Sequence, residues 1–75
     1  SLIYWPNPTS SIVNISYSKT ISQLSVTNIL GQQVLSKDVN STEAQIDFSG
    51  MAEATYFIKI FSEGMEKVVK VIKID

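Results

Sequence analysis

Thr55-Tyr56-Phe57-Ile58-Lys59-Ile60-Phe61, then Ser62-Glu63-Gly64-Met65, then Glu66-Lys67-Val68-Val69-Lys70-Val71-Ile72-Lys73-Ile74: the reading of this stretch decides the fold. In its first part Tyr56, Ile58 and Ile60 face one way and Phe57, Lys59 and Phe61 the other, the two-residue period of a strand. The last part has two readings. Met65, Val68, Val69 and Ile72 fall at helical spacing, with Lys67, Lys70 and Lys73 elsewhere, which would make a basic amphipathic helix able to lie on a membrane. Against that, Val71 and Ile74 spoil the polar side, and five of the ten residues from Met65 to Ile74 are branched at Cβ. Such side chains lose rotamer freedom in a helix and pack well on a pleated surface. Glu63-Gly64 also offers a tight turn that returns the run antiparallel to Thr55–Phe61. The run is read as a strand.

The same pattern extends upstream. Ten Ile, seven Val and five Thr dominate the chain. Leu2 to Trp5 is a short strand stopped by Pro6-Asn7-Pro8-Thr9, because proline removes backbone donors and bars Asn7 from the helical region. Ile12 to Tyr17 alternates, with Val13, Ile15 and Tyr17 on one face. Ile21 to Leu30 places Leu24 and Val26 together. Gly31-Gln32 suits a type II′ hairpin turn into Gln33 to Val39. After Asn40-Ser41-Thr42 comes Glu43 to Phe48, closed by Ser49-Gly50. Seven short β segments separated by turn residues predict an all-β fold, a small antiparallel sandwich of immunoglobulin-like character. Its core is expected to hold Val13, Ile15, Leu24, Val26, Ile46, Tyr56, Ile58 and Ile60.

With 75 residues the chain has room for one small domain, whose stability is expected to be about 3–5 kcal/mol. Six lysines, no arginine and seven acids give a net charge of −1. A basic face with arginine forks is missing, so nucleic acid is not an expected partner. No run approaches the length of a transmembrane helix, and no signal peptide is evident at Ser1. The chain reads as a piece of a longer protein, with residues 1–75 as one domain.

Catalysis finds little to work with. The chain has no Cys and no His, which removes the thiol nucleophile, the zinc thiolate and the commonest general base and metal ligand. Asp38, Glu43, Asp47 and Glu53 are scattered through turns and polar faces, no Asp-x-Asp spacing suggests calcium, and three isolated glycines make no phosphate cradle. No enzyme, cofactor or metal site is expected. Tyr4, Trp5, Phe57 and Phe61 would suit a sugar if they formed one exposed platform, although building a small core is their plainer role. Lys59, Lys67, Lys70 and Lys73 on the final hairpin would discourage edge-to-edge pairing. Unpaired edges leave room for weak self-association.

Taken together, the motifs have a family likeness. Trp5-Pro6-Asn7-Pro8-Thr9-Ser10 followed by Ile12-Val13-Asn14-Ile15 resembles the opening of the type IX (Por) secretion system C-terminal sorting domain, where an aromatic precedes Pro-Asn-Pro. Val26-Thr27-Asn28-Ile29-Leu30-Gly31-Gln32-Gln33-Val34 is similar to the Leu-Gly-Gln hairpin of that family. Ile46-Asp47-Phe48-Ser49-Gly50-Met51 resembles its Asp-Leu-Ser-Gly-Leu corner, Thr55-Tyr56 its Gly-Thr-Tyr strand, and Lys67 to Lys73 its closing lysine-rich strand. The likeness runs from residue 2 to residue 74 in order. Trp5 stands in place of the usual Tyr, Ser11 and Ala54 in place of glycines, and Phe48 and Met51 in place of leucines.

The resemblance implies a non-catalytic sorting signal at the end of a cargo protein of a Gram-negative bacterium. The cargo domain lies upstream, and the folded signal passes from the periplasm through the outer membrane by the type IX machinery. A sortase-like surface protease then removes it, and the cargo is released or attached at the surface. Structural motif residues would be Trp5, Pro6, Asn7, Pro8, Gly31, Gln32, Asp47, Gly50 and Tyr56. The machinery would read the last strand through Lys67, Lys70, Val71, Ile72 and Lys73, by strand addition at a free edge. The alternative is an extracellular adhesive or carbohydrate-binding module.

Overall fold

The computed structural model describes all residues, Ser1–Asp75, and contains only strands and their connections. They are β1 (Ile3–Trp5), β2 (Ile12–Thr27), β3 (Gln33–Asp47), β4 (Ala54–Ser62) and β5 (Met65–Lys73). The final run is therefore a strand, and the amphipathic-helix reading falls. Every ladder between these strands is antiparallel, in one hydrogen-bonded sheet ordered β1-β2-β4-β5 with β3 on the other side of β2.

β2 organises the sheet. Its first half pairs with β1 and with the end of β3, as in Val13 opposite Ile46. Its second half pairs with β4 and with the start of β3, as in Val26 opposite Ile58 and Leu35. Between the halves, register slips around Tyr17–Thr20 let both strands bend without breaking, which is how bulges curl a sheet. Four of the seven expected segments are thus the halves of two long strands, giving five strands. Polar residues such as Ser18, Lys19, Ser41 and Thr42 mark the bends, where they stay solvated.

Curling brings the inner faces of both halves onto one core. All eight expected core residues are buried, joined by Ile21, Phe48 and Val71. Phe48 lies 5.5 Å from the Tyr56 ring in a tilted arrangement, which aromatic pairs favour. The Ser62–Met65 hairpin closes through Glu63 and Gly64, both at positive φ, the backbone of a type I′ turn. At the β2–β3 connection the expected two-residue turn is replaced by a wider loop. Gly31 has φ of +81°, but it follows a turn in which its amide donates to the Asn28 carbonyl at 3.0 Å. The Asn28 side chain accepts from the Leu30 and Gln32 amides at 2.9 and 3.0 Å and so stands in for strand pairing.

Candidate recognition surface on the last hairpin

β5 has β4 on one side and no full strand on the other. Alternation sorts its side chains into two sets. Val69 and Val71 point toward the core, Val71 fully buried. Lys73 shares that side and is only 2% exposed, its ammonium donating to the Ile74 carbonyl at 3.3 Å. Its long apolar stem packs inward, and the ammonium lies against the chain's own backbone rather than out in solvent. Lys67, at the far end of the same set, is exposed, with its ammonium 6.0 Å from the centre of the Tyr17 ring, at the outer limit of a cation–π contact.

The outward set is Val68, Lys70 and Ile72, with Val68 51% and Ile72 39% exposed. Opposite them on β4 stand Lys59, Phe57 and Thr55. Lysines thus alternate with apolar groups over two strands, Phe57 beside Lys70 and Val68 beside Lys59, and a half-buried Phe61 continues the pattern. Of the five residues expected to be read, Lys67, Lys70 and Ile72 are accessible, while Val71 and Lys73 lie inside the fold.

The edge of β5 is not bare. The Asn7 side-chain amide donates to the Lys70 carbonyl at 3.0 Å, and its oxygen accepts from the Ile72 amide at 2.9 Å. Thr9 then continues as a parallel bridge, donating to the Ile72 carbonyl and accepting from the Ile74 amide, both at 2.9 Å. Thr9 is buried and its hydroxyl donates to the Ile12 carbonyl at 2.9 Å, which fixes the turn into β2. One carboxamide here does the work of a peptide unit. Composition and alternation carry no signal for a contact spanning the chain, so sequence reasoning missed it.

The remaining motif residues build corners. Asp47 accepts from the Ser49 amide at 2.8 Å. Hydrogen bonding from the Ser49 side chain, then from its amide, holds the Asp47 carboxyl below its ordinary 3.8. Tyr56 donates its hydroxyl to the Ala52 carbonyl at 2.7 Å, tying the corner that holds Gly50 back onto β4. Gln32 shares a side-chain bond of 2.9 Å with Asn28. Neither Ser11 nor Ala54 has positive φ, so the chain turns there without needing glycine.

The four aromatics form no common platform. Tyr4 packs on the core, and Phe57 and Phe61 lie on β4, which pairs with the second half of β2. Trp5 is 47% exposed on β1, beside the first half of β2. It borders a shallow open groove of about 440 Å³ with Asn14, Lys37, Glu43 and Gln45.

Fold and surface together define a compact all-β domain, with corners built by side-chain caps and a final hairpin presenting alternating cationic and apolar groups. The family of secretion system C-terminal sorting domains matches residues 3–74, and the chain belongs to it. It is a C-terminal sorting signal for type IX secretion, and that signal directs export to the cell surface or beyond. The family is not known as catalytic. A search of curated proteins returns no match.

Proposed function

We propose that residues 1–75 form the terminal domain of a longer cargo protein, fold in the periplasm, and are taken through the outer membrane by direct reading of the last hairpin. The observation that carries this is the exposed outer face of β4 and β5, where Lys70 and Ile72 stand with Val68, Lys59 and Phe57. A receptor surface with acidic groups set among apolar ones is its complement. Lys67 adds charge at the turn end of β5. Val71 and Lys73 serve from within, fixing the strand that displays the others. The chemistry then belongs to the partners: the translocation machinery, and a sortase-like surface protease that separates signal from cargo before the cargo is released or anchored.

The test fuses residues 1–75 to a periplasmic reporter in a host carrying this secretion system. The wild-type fusion is exported. Lys67→Gln with Lys70→Gln keeps the fold, because exposed substitutions cost within about 0.5 kcal/mol. Export then falls on the order of tenfold, the equivalent of about 1.4 kcal/mol in receptor affinity. Unchanged export of a folded double variant defeats the charge reading.

The Trp5 groove favours a second reading, an extracellular carbohydrate-binding module, since an exposed indole stands beside amide, carboxylate and ammonium groups. Trp5 is the one tryptophan, so a titration with neutral oligosaccharides followed by its fluorescence separates the two. A saturable shift supports the module, and a flat titration removes it.

A further inference from the structure

Ile29 and Leu30 are the most exposed large apolar residues of the chain, at 71% and 78%. They are neighbours on the loop between β2 and β3, and folding gains nothing from leaving them in water. A single exposed aliphatic side chain is ordinary, but an adjacent pair held up on a braced loop is not. Asn28 donates its amide to the Gln32 carbonyl and accepts from the Gly31 amide on its own carbonyl, both at 3.0 Å. Its side chain accepts from the Leu30 and Gln32 amides and donates to the Gln32 side-chain oxygen at 2.9 Å. Both backbone groups and both ends of the side chain of one residue are thus engaged in fixing a loop whose apolar side chains stand in solvent.

We infer that Ile29 and Leu30 are a second reading point of the sorting signal, a pair of apolar anchors that enter a pocket on the type IX secretion machinery. The inference rests on the export reading above and adds a contact to the outer face of β4 and β5. The chain is a signal that this machinery has to recognise, and three observations favour the machinery as the occupant of the tip. No residue between Lys19 and Lys37 is charged, so the loop and the strand ends that carry it offer nothing to lipid headgroups, whose contacts need basic flanks. The apolar pair is flanked by the uncharged amides Asn28, Gln32 and Gln33, and an apolar centre within an uncharged polar surround is the make-up of a protein interface. The run from Ile21 to Thr27 carries the loop roughly 20 Å beyond the bend. The Ser1 ammonium meets Ser18 at that bend, at 3.2 Å, so the cargo ahead of Ser1 departs from the other end. A braced tip also suits a preformed pocket, because its ordering entropy is already lost in folding.

The test uses the fusion of residues 1–75 to a periplasmic reporter. Ile29→Ser with Leu30→Ser removes both anchors at exposed positions, so the melting temperature stays near that of the wild type, while export falls on the order of tenfold. Ile29→Val with Leu30→Met keeps the apolar bulk and keeps export. Asn28→Ala leaves both anchors in place but frees the loop, and export falls about threefold. Ile21→Val weakens the buried core to a comparable melting temperature and exports as the wild type does. A wild-type fusion that stays in the periplasm overturns the export reading and this inference together. Export of the wild type and, equally, of the folded double serine substitution overturns this inference alone. Should the double substitution lose its cooperative melt, Leu30→Ser alone decides by the same comparison. Two measurements on the chain itself test the occupant. A dimer in sedimentation that the double substitution abolishes assigns the tip to a second copy and overturns the inference. Co-sedimentation with phosphatidylglycerol vesicles that the double substitution abolishes assigns it to a lipid surface and overturns it as well.

Discussion

β4 and β5 pair without a slip from Ala54 opposite Lys73 to Ser62 opposite Met65, whereas β2 and β3 change register three times along their ladder. The first hairpin lies in one half of the curled sheet and turns on two residues. The second must cross the bend, serve both halves, and turn through a loop braced by Asn28. Regular pairing is available where a strand has one job. A strand that belongs to both halves gives up pairing at the bend, and it does so where its side chains are polar and the lost ladder bonds can go to water.

The sharpest way to break this contrast is to remove matching apolar groups from each hairpin. Ile58 is fully buried in the regular ladder, while Val34 sits at a register slip and is 45% exposed. Ile58→Ala is expected to cost about 2–5 kcal/mol, which is most of the stability expected for a domain of this size. Val34→Ala should stay within about 0.5 kcal/mol. Urea midpoints for the two variants measure the difference, and similar losses would mean that the bulged end is as well packed as the core.

A smaller effect separates the turns. Asn28→Ala deprives the Leu30 and Gln32 amides of their acceptor and is expected to destabilise by about 1 kcal/mol. Glu63→Asn should move the other way by roughly 0.5 kcal/mol, since Glu63 holds φ of +52°, a backbone that asparagine tolerates better. Thermal melts read both signs. The smallest effect is expected at the Asp47 corner. Its carboxyl titrates below 3.8 in the folded protein, so its contribution is complete only above about pH 5 and is lost as pH falls through the lowered folded value. Asp47→Asn should flatten that acid limb of the stability curve by lowering the pH 7 value slightly toward the acid one, as followed by circular dichroism.

Alternation in Val13–Ile15, Leu24–Val26 and Tyr56–Ile60 was enough to place the core, because each of those runs keeps one face inward throughout. It misled at the joins. Ser18, Lys19, Ser41 and Thr42 look like loop residues in a linear reading, yet the backbone stays extended through them, so pairs of segments proved continuous. At Gly31 the need for positive φ was visible, but the loop around it depends on the Asn28 side chain, which a two-residue turn rule does not weigh. In β5 the split into two side-chain sets was legible. Which set faced inward was not, since lysines occur in both and only the packing of Val71 against the core decides. The burial of Lys73 and the reach of Asn7 across the chain are tertiary facts with no local signature.

That reach has a kinetic consequence. Asn7 and Thr9 meet residues 70–74, a pairing between nearly opposite ends of the domain, while β4 and β5 meet across a two-residue turn. Contacts so distant along the chain form late, because loop-closure entropy is spent before they return anything. The final hairpin can assemble as soon as its own residues are free, but the N-terminal segment has nowhere to dock until Ile74 is in place. A chain held at either end would therefore wait, mostly formed, with its last edge unsealed.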